Sequence, residues 1–549
     1  MRAIGTVLLG CSLVGPALGA ATDGAVTYSK DVAPIFFANC VQCHRPGDIA
    51  PMSLLDYQSA RPWAKSIRKM VEARRMPPWG ADPHVGSWAN DMSLTDQEIA
   101  TVVAWVEQGA TEGDPSALPP APTFKEGWKL GTPDYVIELD PVKVPGSSED
   151  LFPEQWVELS KLDSTHWVRA IEFLPGDRHV THHFLATYNA GEKGAIGRGE
   201  FETGEGHGGS GIFTVWTAGM QPYEFPPGMG RLVGPTTRIL VNSHYHPYGT
   251  DTVDRTKIGL YFGKGELQKE VATLAIVNTG LRIPPGDPSY SIMGFHVFDT
   301  DTRILAMSPH MHLRGKAMRY ELVMPDGARQ TVLDVPRYNY NYQWLYYPTE
   351  PVRAPAGSRL EVTATWDNSE GNADNPDPKA EIVYRADTFN EMFVGFLEAY
   401  QEKGTYIDAT APVEKLTQLL RRHPAADSWL SAGMLPLGFY LPKQGNGWIY
   451  AVNGATMTTI TLDDIRWKDG GVEVHTTFPT ADADGISTVI EAKLDDKGQL
   501  VGTVHYGVLE EKAGEQKAMH LPFLAKPIDS IPASATAGAA GAAGGGGGR

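Results

Sequence analysis

Tyr135-Val136-Ile137-Glu138-Leu139 is one of the short runs, rich in β-branched and aromatic side chains, that recur through the middle of this chain, and Arg238-Ile239-Leu240-Val241 is another. Clusters of Gly, Pro, Asp and Asn separate these runs. Short strands between turn residues are typical of antiparallel β-sandwiches. The length of the region suits two sandwiches with a boundary near Gly286. The sequence therefore predicts two antiparallel, jelly-roll-like β-sandwich domains, at 125–285 and 286–410.

The chain before this region has a helical pattern. Residues 25–112 carry apolar side chains at helical spacing, and either Ser29 or Asp31 is a suitable start for a first helix. Ser93-Leu94-Thr95-Asp96-Gln97-Glu98 contains a capping signal for a last helix that Gly109 would end. We therefore predict a small all-α domain here, followed by a Pro- and Ala-rich linker at 113–124.

The chain after the sandwiches is predicted to hold one short helix and a small antiparallel β domain, together spanning 411–530. The helix is expected over 413–422, and a hairpin is expected from Ile486 to Tyr506. The Ala/Gly-rich tail at 531–549 is predicted to be disordered. The fold class expected for the whole chain is a multidomain, mainly β protein with a small all-α domain near its N-terminus.

Length and charge limit the functions that the chain can have. With 549 residues it is too long for one hydrophobic core. Its formal charge of -18 argues against nucleic acid or an anionic membrane surface as the main partner. The glycine-rich stretch from Gly204 to Gly211 lacks the strand–loop–helix setting of a nucleotide site, and we expect it to be a flexible loop.

Residues 1–20 have the pattern of a secretory signal peptide. Arg2 supplies a positive charge, an apolar stretch follows from Ile4 to Val14, and small residues end the segment. The apolar stretch is too short to span a bilayer. Leu8-Leu9-Gly10-Cys11 also resembles a lipoprotein cleavage box, which is the less favoured alternative. We therefore expect a periplasmic or secreted protein without a membrane anchor.

After removal of such a signal, the chain would retain two cysteines, in Cys40-Val41-Gln42-Cys43-His44. This C-x-x-C-H motif is the attachment sequence for c-type haem, in which two thiols add to the haem vinyl groups and the histidine binds the iron. A redox-active dithiol and half of a zinc site are the alternatives. No second C-x-x-C is present to complete a zinc site, and the adjacent His44 favours one covalently bound haem c.

The region from 26 to 112 resembles the class I cytochromes c, because the C-x-x-C-H motif follows a first helix and a closing helix contains Trp105. The resemblance implies a methionine as the second axial ligand, in a loop before the last helix. Met76, in Arg75-Met76-Pro77-Pro78-Trp79, fits best because two prolines stiffen that loop. The competing methionines in the same region are Met52, Met70 and Met92.

Histidines are clustered in the region of the predicted sandwiches. They occur as His182-His183, as His244-Tyr245-His246 and as His310-Met311-His312. An H-x-H pair on a strand presents both imidazoles on one face, which can give one metal two nitrogen ligands. Adjacent histidines point to opposite faces of a regular strand, so His182 and His183 can share a metal only at a strand end or distortion, or by using different ring nitrogens. Any one pair could be structural, but three pairs together favour metal binding, and imidazole suits copper, zinc, iron or nickel.

The order of several short stretches over about 130–400 is similar to that of the copper type II, ascorbate-dependent monooxygenases, the family of the peptidylglycine and dopamine hydroxylating enzymes. The matching stretches are Thr181-His182-His183-Phe184, Val241 to Pro247, Gly259-Leu260-Tyr261, His310-Met311-His312-Leu313-Arg314-Gly315, Trp366-Asp367-Asn368-Ser369 and Asn390-Glu391-Met392. Animal members of that family carry disulfides in this region, and this chain has no cysteine there.

The resemblance implies two separated copper ions, each with its own ligands and each supplying one electron. His182, His183 and His244 would bind the electron-storing copper, with His246 either as a substitute for His244 or as a residue that supports a ligand without binding the metal. His310, His312 and Met392 would bind the catalytic copper that meets O2 and substrate. His166, His179 and His296 match no part of the pattern and are expected to be structural.

The two resemblances together imply a haem-fed copper monooxygenase. Such an enzyme would hydroxylate a C–H bond of a small-molecule or peptide-like substrate with O2. Its coppers would be reduced through the haem by ascorbate or a periplasmic electron carrier. The alternative is a haem c electron carrier attached to a β module that binds copper without hydroxylating anything.

Overall fold

The computed structural model of the chain describes residues 24–147, 149–189, 211–278, 280–298, 300–385, 387–405, 416–417, 420–421, 423–432, 436–453, 456–462, 464–478, 486–506 and 519–530. The expected signal peptide with Cys11, the Ala/Gly-rich tail and residues 204–210 of the glycine-rich stretch lie outside these ranges. Of the helix expected at 413–422, residues 416–417 and 420 are helical, and most of the remainder lies outside the described residues.

The chain forms two compact units. The first contains the described residues up to 46 together with 50–77 and 94–122. The second contains residues 47–49, 78–93 and the chain from 123 onward. Residues 78–93 therefore pack with the second unit, although the sequence placed them inside the predicted all-α domain.

The first unit is helical. A π-helical turn at Tyr28–Val32 leads into α1 (Ala33–Asn39), and the later elements are α2 (Tyr57–Ala60), a 3-10 turn (Arg61–Trp63), α3 (Ala64–Glu72), α4 (Asp96–Glu107) and a 3-10 turn at Pro115–Ala117 in the predicted linker. Thr95 and Glu98 form the expected capping box at the start of α4. The prediction of a small all-α domain is confirmed.

Trp105 of α4 organises the core of this unit. Its side chain is fully buried, and its ring lies edge-on to Phe36 of α1, with 6.3 Å between the ring centroids. The indole Nε1 donates a hydrogen bond of 2.9 Å to the carbonyl oxygen of Thr111. Replacing a buried aromatic residue of this kind with alanine typically costs about 3–5 kcal/mol of stability. Trp105 therefore fixes the last helix against the helix that precedes the C-x-x-C-H motif.

The first part of the second unit is a β-sandwich. Its strands are β1 (Tyr135–Glu138), β2 (Val142–Val144), β3 (Glu154–Glu158), β4 (His166–Leu174), β5 (Thr181–Asn189), β6 (Gly211–Thr217), β7 (Met229–Val233), β8 (Arg238–Tyr245), β9 (Thr252–Asp254), β10 (Lys257–Phe262) and β11 (Lys269–Glu270). One sheet has the order β1-β10-β4-β7-β11. The facing strands pair as β3-β8-β5-β6.

Aromatic side chains from both sheets fill the core of this sandwich. Phe173 of β4 stacks on Phe184 of β5 with 5.1 Å between ring centroids, and Tyr245 of β8 is fully buried beside them. Stacked sheets pack at about 10 Å, a spacing that two such side chains bridge. The predicted strands at 135–139 and 238–241 are β1 and part of β8.

A second sandwich follows. Its strands are β12 (Ala272–Asn278), β13 (Arg282–Ile283), β14 (Tyr290–Val297), β15 (Thr302–His310), β16 (Gly315–Val323), β17 (Arg329–Val335), β18 (Val352–Ala354), β19 (Arg359–Trp366), β20 (Ile382–Val383) and β21 (Val394–Gln401). One sheet has the order β14-β19-β16-β17, and the facing strands pair as β12-β21-β15-β18. All of these pairings are antiparallel.

The core of the second sandwich begins earlier in the chain than the sequence suggested. Leu274 and Ile276 of β12 belong to this core, whereas the first core ends at Leu260. The change of core therefore falls before Gly286, because β12 pairs with β21 over its length and meets the first sandwich only where Thr273 lies opposite Ile212 of β6.

The remaining strands extend the sheet of the second sandwich. They are β22 (Ser428–Ala432), β23 (Pro436–Tyr440), β24 (Gly447–Asn453), β25 (Thr456–Leu462), β26 (Ile465–Lys468), β27 (Gly471–Phe478), β28 (Ile486–Leu494), β29 (Leu500–Tyr506) and β30 (Met519–Pro527). The expected hairpin is confirmed, since Leu494 of β28 lies opposite Leu500 of β29. β25 pairs in parallel with β12, so the C-terminal β region is joined to the second sandwich by a shared sheet.

The expected fold class, a small helical domain followed by a mainly antiparallel β body, is confirmed by the described chain. Within the described residues, no helix has the length and apolar character needed to cross a membrane.

Candidate functional site

The C-x-x-C-H motif forms a tight turn at the end of α1. The backbone N–H of Cys40 donates to the carbonyl of Phe36, and the N–H of His44 donates to the carbonyl of Cys40 at 2.9 Å. Cys40 and Cys43 form no disulfide, and each residue as a whole is partly exposed. Burial raises the pKa of the Cys40 thiol to about 12, with the neighbouring Cys43 and Glu98 adding to the effect. A redox-active dithiol needs a lowered thiol pKa, so the environment of Cys40 argues against that alternative.

His44 is oriented to bind through Nε2. Its Nδ1 lies 3.3 Å from the carbonyl oxygen of Met52. Because a carbonyl only accepts, Nδ1 carries the proton and Nε2 keeps its lone pair. Burial lowers the pKa of His44, which keeps the ring neutral. A ligating histidine that donates its other N–H to a carbonyl is the usual arrangement at haem and metal sites.

Three of the four methionines proposed as axial ligand belong to the helical unit. Met76 follows α3, and its N–H donates to the carbonyl of Met70 at 3.3 Å. Met52 supplies the carbonyl beside His44. Met92 instead packs against the core of the second sandwich, so it does not belong to the helical unit.

Three of the predicted copper ligands lie together on β5 and β8. His183 and His244 are opposite each other in the antiparallel ladder, and the register shifts between Thr181 and His183. This irregularity is the distortion that two adjacent histidines need to face the same way. His182, His183 and His244 each offer a ligand atom, and these atoms lie within 4.8 Å of one another. In the described part of the chain, no other such group of His, Cys, Asp or Glu side chains is present.

The ring nitrogens of this trio are arranged as metal ligands would be. Nδ1 of His182 lies 3.0 Å from Nδ1 of His183. Two nitrogens bound to one metal at about 2.0–2.1 Å are separated by a similar distance. His244 donates from Nε2 to the carboxylate of Asp150 at 2.8 Å, and its buried Nδ1 has no hydrogen-bond partner. The trio therefore presents a nitrogen set that could hold one metal ion.

His246 lies outside the trio. Its side chain is 69% exposed, and its Nδ1 contacts the second carboxylate oxygen of Asp150 at 2.8 Å. Burial alone would raise the pKa of Asp150, but the hydrogen bonds from His244 and His246 outweigh it and lower that pKa. His246 thus touches the partner of His244 rather than the cluster itself.

His310 and His312 lie at the end of β15 with Met311 buried between them. Nδ1 of His310 lies 2.5 Å from Oε1 of Gln343, and Nδ1 of His312 lies 3.0 Å from the carbonyl oxygen of Asn390. Both acceptors fix the proton on Nδ1 and leave Nε2 with a free lone pair.

Glu391 fixes the backbone at and just after the second of these two histidines. Its buried carboxylate accepts from the backbone N–H of His312 at 2.7 Å and of Arg314 at 2.6 Å. It also accepts from the indole of Trp366 at 3.0 Å. Burial raises the pKa of Glu391 to about 7, against the effect of these donors. Gly315 completes the turn, because a Cβ there would lie 2.7 Å from the ring of Tyr338.

Met392 is brought to the same end of the sheet. Val394 of β21 lies opposite His310 in the ladder, so Met392 lies just beyond that pair. Its partly buried side chain packs in a small cluster with Phe396, whose ring centroid is 5.9 Å from that of His310. The register therefore brings Met392 to the end of the ladder at which His310 lies.

The two sets of histidines are in contact with each other. The rings of His183 and His310 are 6.3 Å apart between centroids. Tyr340 stacks on His182 at 4.9 Å and lies edge-on to His312 at 6.1 Å. The two predicted copper sites thus share one continuous cluster, where the resemblance implied two separated ions.

Burial keeps four of the clustered histidines neutral. It lowers the pKa of His182 and His312 to about 3 and that of His310 to about 4, and it holds the pKa of His183 well below the ordinary value. A neutral imidazole is the form that binds a metal. The cluster therefore offers lone pairs at neutral pH without a cost for removing protons.

Of the predicted sites, the haem site lies within a match to a family model. Residues 29–110 match the family described as Cytochrome c. The chain therefore carries a cytochrome c domain with a site for haem c. No curated protein matches this sequence.

The cytochrome c domain covers the helical unit and its C-x-x-C-H turn, whereas the histidine cluster lies wholly in the β body. His166, His179 and His296 lie outside that cluster. His166 contacts Asp163 at 3.1 Å, His179 contacts Asp177 at 3.1 Å, and the ring of His296 packs against Phe298.

Sequence reasoning missed the residues that support the histidines, among them Asp150, Gln343, Glu391 and Tyr340. Gln343 and Tyr340 lie in the segment between β17 and β18, far in sequence from the histidines that they contact. Glu391 lay inside a matching stretch, but only the fold shows that its carboxylate binds the backbone of 312–314.

Proposed function

We propose that this protein is an exported copper-dependent monooxygenase that hydroxylates a C–H bond of an organic substrate with O2, and that its cytochrome c domain delivers the electrons. The observation that carries the proposal is the continuous cluster of His182, His183, His244, His310 and His312. Five imidazoles in contact form a donor set suited to copper.

The residues fit two copper ions of different character. His182, His183 and His244 would bind the first ion through nitrogens alone. His310 and His312 would bind the second through Nε2, with the thioether of Met392 beside them. A soft sulfur ligand favours Cu(I), the form that reacts with O2.

The overall reaction consumes one O2, two electrons and two protons for each C–H bond converted to C–OH, and it releases one water. Copper, when bound, would supply the two electrons and the position at which O2 is activated. The chain is proposed to contribute the rest. Gln343 and Asn390 hold the rings of His310 and His312 in one tautomer, and Glu391 fixes the backbone between them.

Electrons would enter through the haem from ascorbate or a periplasmic electron carrier. Haem c carries one electron at a time, which suits two ions that each need one electron per turnover. The substrate class that we propose is a small molecule or a peptide-like compound, in keeping with the family resemblance of the histidine stretches.

A second candidate function is electron transfer alone, with a copper-binding β body that does not hydroxylate. It is favoured by the extent of the family match, which covers residues 29–110 and none of the strands from β1 onward.

The first experiment is to measure the metal content of the mature protein, produced with haem-attachment machinery and loaded with copper. We expect about two coppers per haem and a Cu(II) EPR spectrum with nitrogen-rich type II signals. One haem with no tightly bound copper would contradict both candidate functions of the β body.

Replacement of Met392 by leucine separates the two candidates. A copper monooxygenase should lose the O2-dependent oxidation of its reduced copper, whereas a copper-binding electron carrier should be little affected. Met318→Leu is the control, because Met318 is fully buried in the core of the second sandwich on β16. If Met392→Leu and Met318→Leu react with O2 at the same rate, the monooxygenase proposal is wrong.

A further inference from the structure

Trp344 links the segment that follows Met76 to the histidine cluster. Its indole Nε1 donates a hydrogen bond of 2.6 Å to the carbonyl oxygen of Pro78. Pro78 is two residues after Met76, the candidate axial ligand of the haem. Gln343, which directly precedes Trp344, accepts a hydrogen bond of 2.5 Å from Nδ1 of His310.

The contacts around this link are held firmly. Trp344 is 4% exposed and belongs to the core of the second sandwich. Trp79, directly after Pro78, packs edge-on against Tyr346 with 4.7 Å between ring centroids. The side-chain amide of Gln343 also donates to the carbonyl of Tyr340 at 3.1 Å, which fixes the orientation of its Oε1 toward His310. Neither the hydrogen bond from Trp344 to Pro78 nor that from His310 to Gln343 depends on an exposed or loosely packed group.

We propose that Trp344 and Gln343 form the route by which electrons pass from the haem to the copper held by His310. The inference rests on the proposed function. From Met76 the route follows peptide bonds to Pro78, crosses one hydrogen bond to Trp344, continues through the backbone to Gln343 and crosses a second hydrogen bond to His310. Electron tunnelling decays less steeply through covalent bonds and hydrogen bonds than through gaps of the same length.

The step moves one electron and breaks no bond. Ferrous haem becomes ferric, and one Cu(II) becomes Cu(I), with no proton transferred. An external one-electron donor, the same ascorbate or periplasmic carrier, reduces the haem again. The ring contact of 6.3 Å between His310 and His183 provides the onward connection to the copper held by His182, His183 and His244.

The test is the rate of electron transfer within the copper-loaded, full-length protein. The haem is reduced by a flash-generated reductant while both coppers are Cu(II), and its reoxidation is followed from the haem absorption bands. In Trp344→Phe the aromatic ring remains and the hydrogen bond to Pro78 is lost. We expect reoxidation to be several-fold slower than in the wild type, with the haem potential and the Cu(II) EPR spectrum unchanged.

Trp88→Phe is the matched control. Trp88 lies in the same core, is 7% exposed, and its indole donates to the carbonyl of Val85 rather than to the link. Gln343→Leu removes the second hydrogen bond, and it serves as an independent variant if Trp344→Phe does not fold. We expect haem reoxidation to be slowed in Gln343→Leu as well. The reduction potential and the EPR spectrum of the copper are measured in the same variant and compared with its rate.

Each result decides between the alternatives. Slower reoxidation in Trp344→Phe and normal reoxidation in Trp88→Phe support the route. Equal rates in the wild type and Trp344→Phe overturn it, as does a slowing accompanied by a changed haem potential. If the wild type binds no copper, the proposed function fails before the route is tested, so the two failures are distinct.

Discussion

The carboxylate of Asp150 accepts a hydrogen bond from Nε2 of the buried His244 at 2.8 Å, while the partnerless Nδ1 of the same ring lies within the cluster with His182 and His183. Asp150 therefore sets which nitrogen of His244 is available to a metal. Partners of this kind fix both the tautomer and the direction of a ligating imidazole.

Replacing Asp150 with asparagine should weaken copper binding by the trio. The amide is a poorer acceptor than the carboxylate and removes a negative charge beside the site, so we expect a loss of about 10–100-fold in copper affinity. Competition with a chelator of known affinity measures it. Asp163→Asn is the control, because Asp163 contacts His166 at 3.1 Å outside the cluster. Equal affinities for the two variants would contradict this role of Asp150.

Replacing Gln343 with glutamate should retain copper at the His310 and His312 pair, whereas Gln343→Leu should change it. Glutamate preserves an acceptor for Nδ1 of His310, while leucine leaves the ring free to change tautomer. We expect the Cu(II) EPR signal of this pair to shift in Gln343→Leu and the signal of the trio to stay the same. A spectrum of Gln343→Leu identical to that of the wild type would show that Gln343 does not orient His310.

The metal-free protein should lose stability as the pH falls from about 6.5 toward 4. The pKa of His310 is lowered to about 4 and that of His312 to about 3, so below the ordinary value of 6.5 the unfolded chain binds more protons than the folded one. Each group contributes a slope of at most about 1.4 kcal/mol per pH unit. Glu391, with its pKa raised to about 7, acts in the opposite direction and offsets one histidine between about 4.5 and 7.

Urea unfolding at a series of pH values, in the presence of a chelator, measures this slope. His312→Leu should give a shallower fall in the free energy of unfolding than the wild type. His475→Leu, at a site outside the cluster whose side chain is 42% exposed, is the control. A wild-type stability that is flat between pH 6.5 and 4 would rule out neutral burial of these rings.

Replacing Met76 with leucine should lower the reduction potential of the haem, because a thioether ligand raises it. The absorption spectrum of the oxidised protein should change at the same time, as the iron loses an axial sulfur. Met70→Leu is the control from the same segment. A changed spectrum in Met70→Leu or in Met52→Leu, with an unchanged one in Met76→Leu, would assign the ligand elsewhere.

Much of the fold could be predicted from local patterns. The capping box at Thr95 and Glu98, the strand at 135–138 and the hairpin from Ile486 to Tyr506 each depend on residues close in sequence. The packing of residues 78–93 with the β body could not be predicted, because it depends on contacts such as that of Trp79 with Tyr346, far along the chain.

The candidate site, like the fold, could be predicted only in part from the sequence. Histidines could be recognised by their type and spacing, and the need for a distortion at His182 follows from the geometry of a strand. The contact between His183 and His310, and the support of His310 by Gln343, depend on how two sandwiches are placed within the β body. No local pattern carries that information.

The register shift in β5 between Thr181 and His183 has a consequence for changes in chain length. A regular ladder alternates its side chains, so the extra residue is what turns both imidazoles toward His244. Deleting one residue just before His182 would restore the alternation and leave a single imidazole on that face. The number of histidines that can face a metal at this site therefore depends on the number of residues in β5 before His182. A deletion there would reduce the number of ligands even though it removes no histidine.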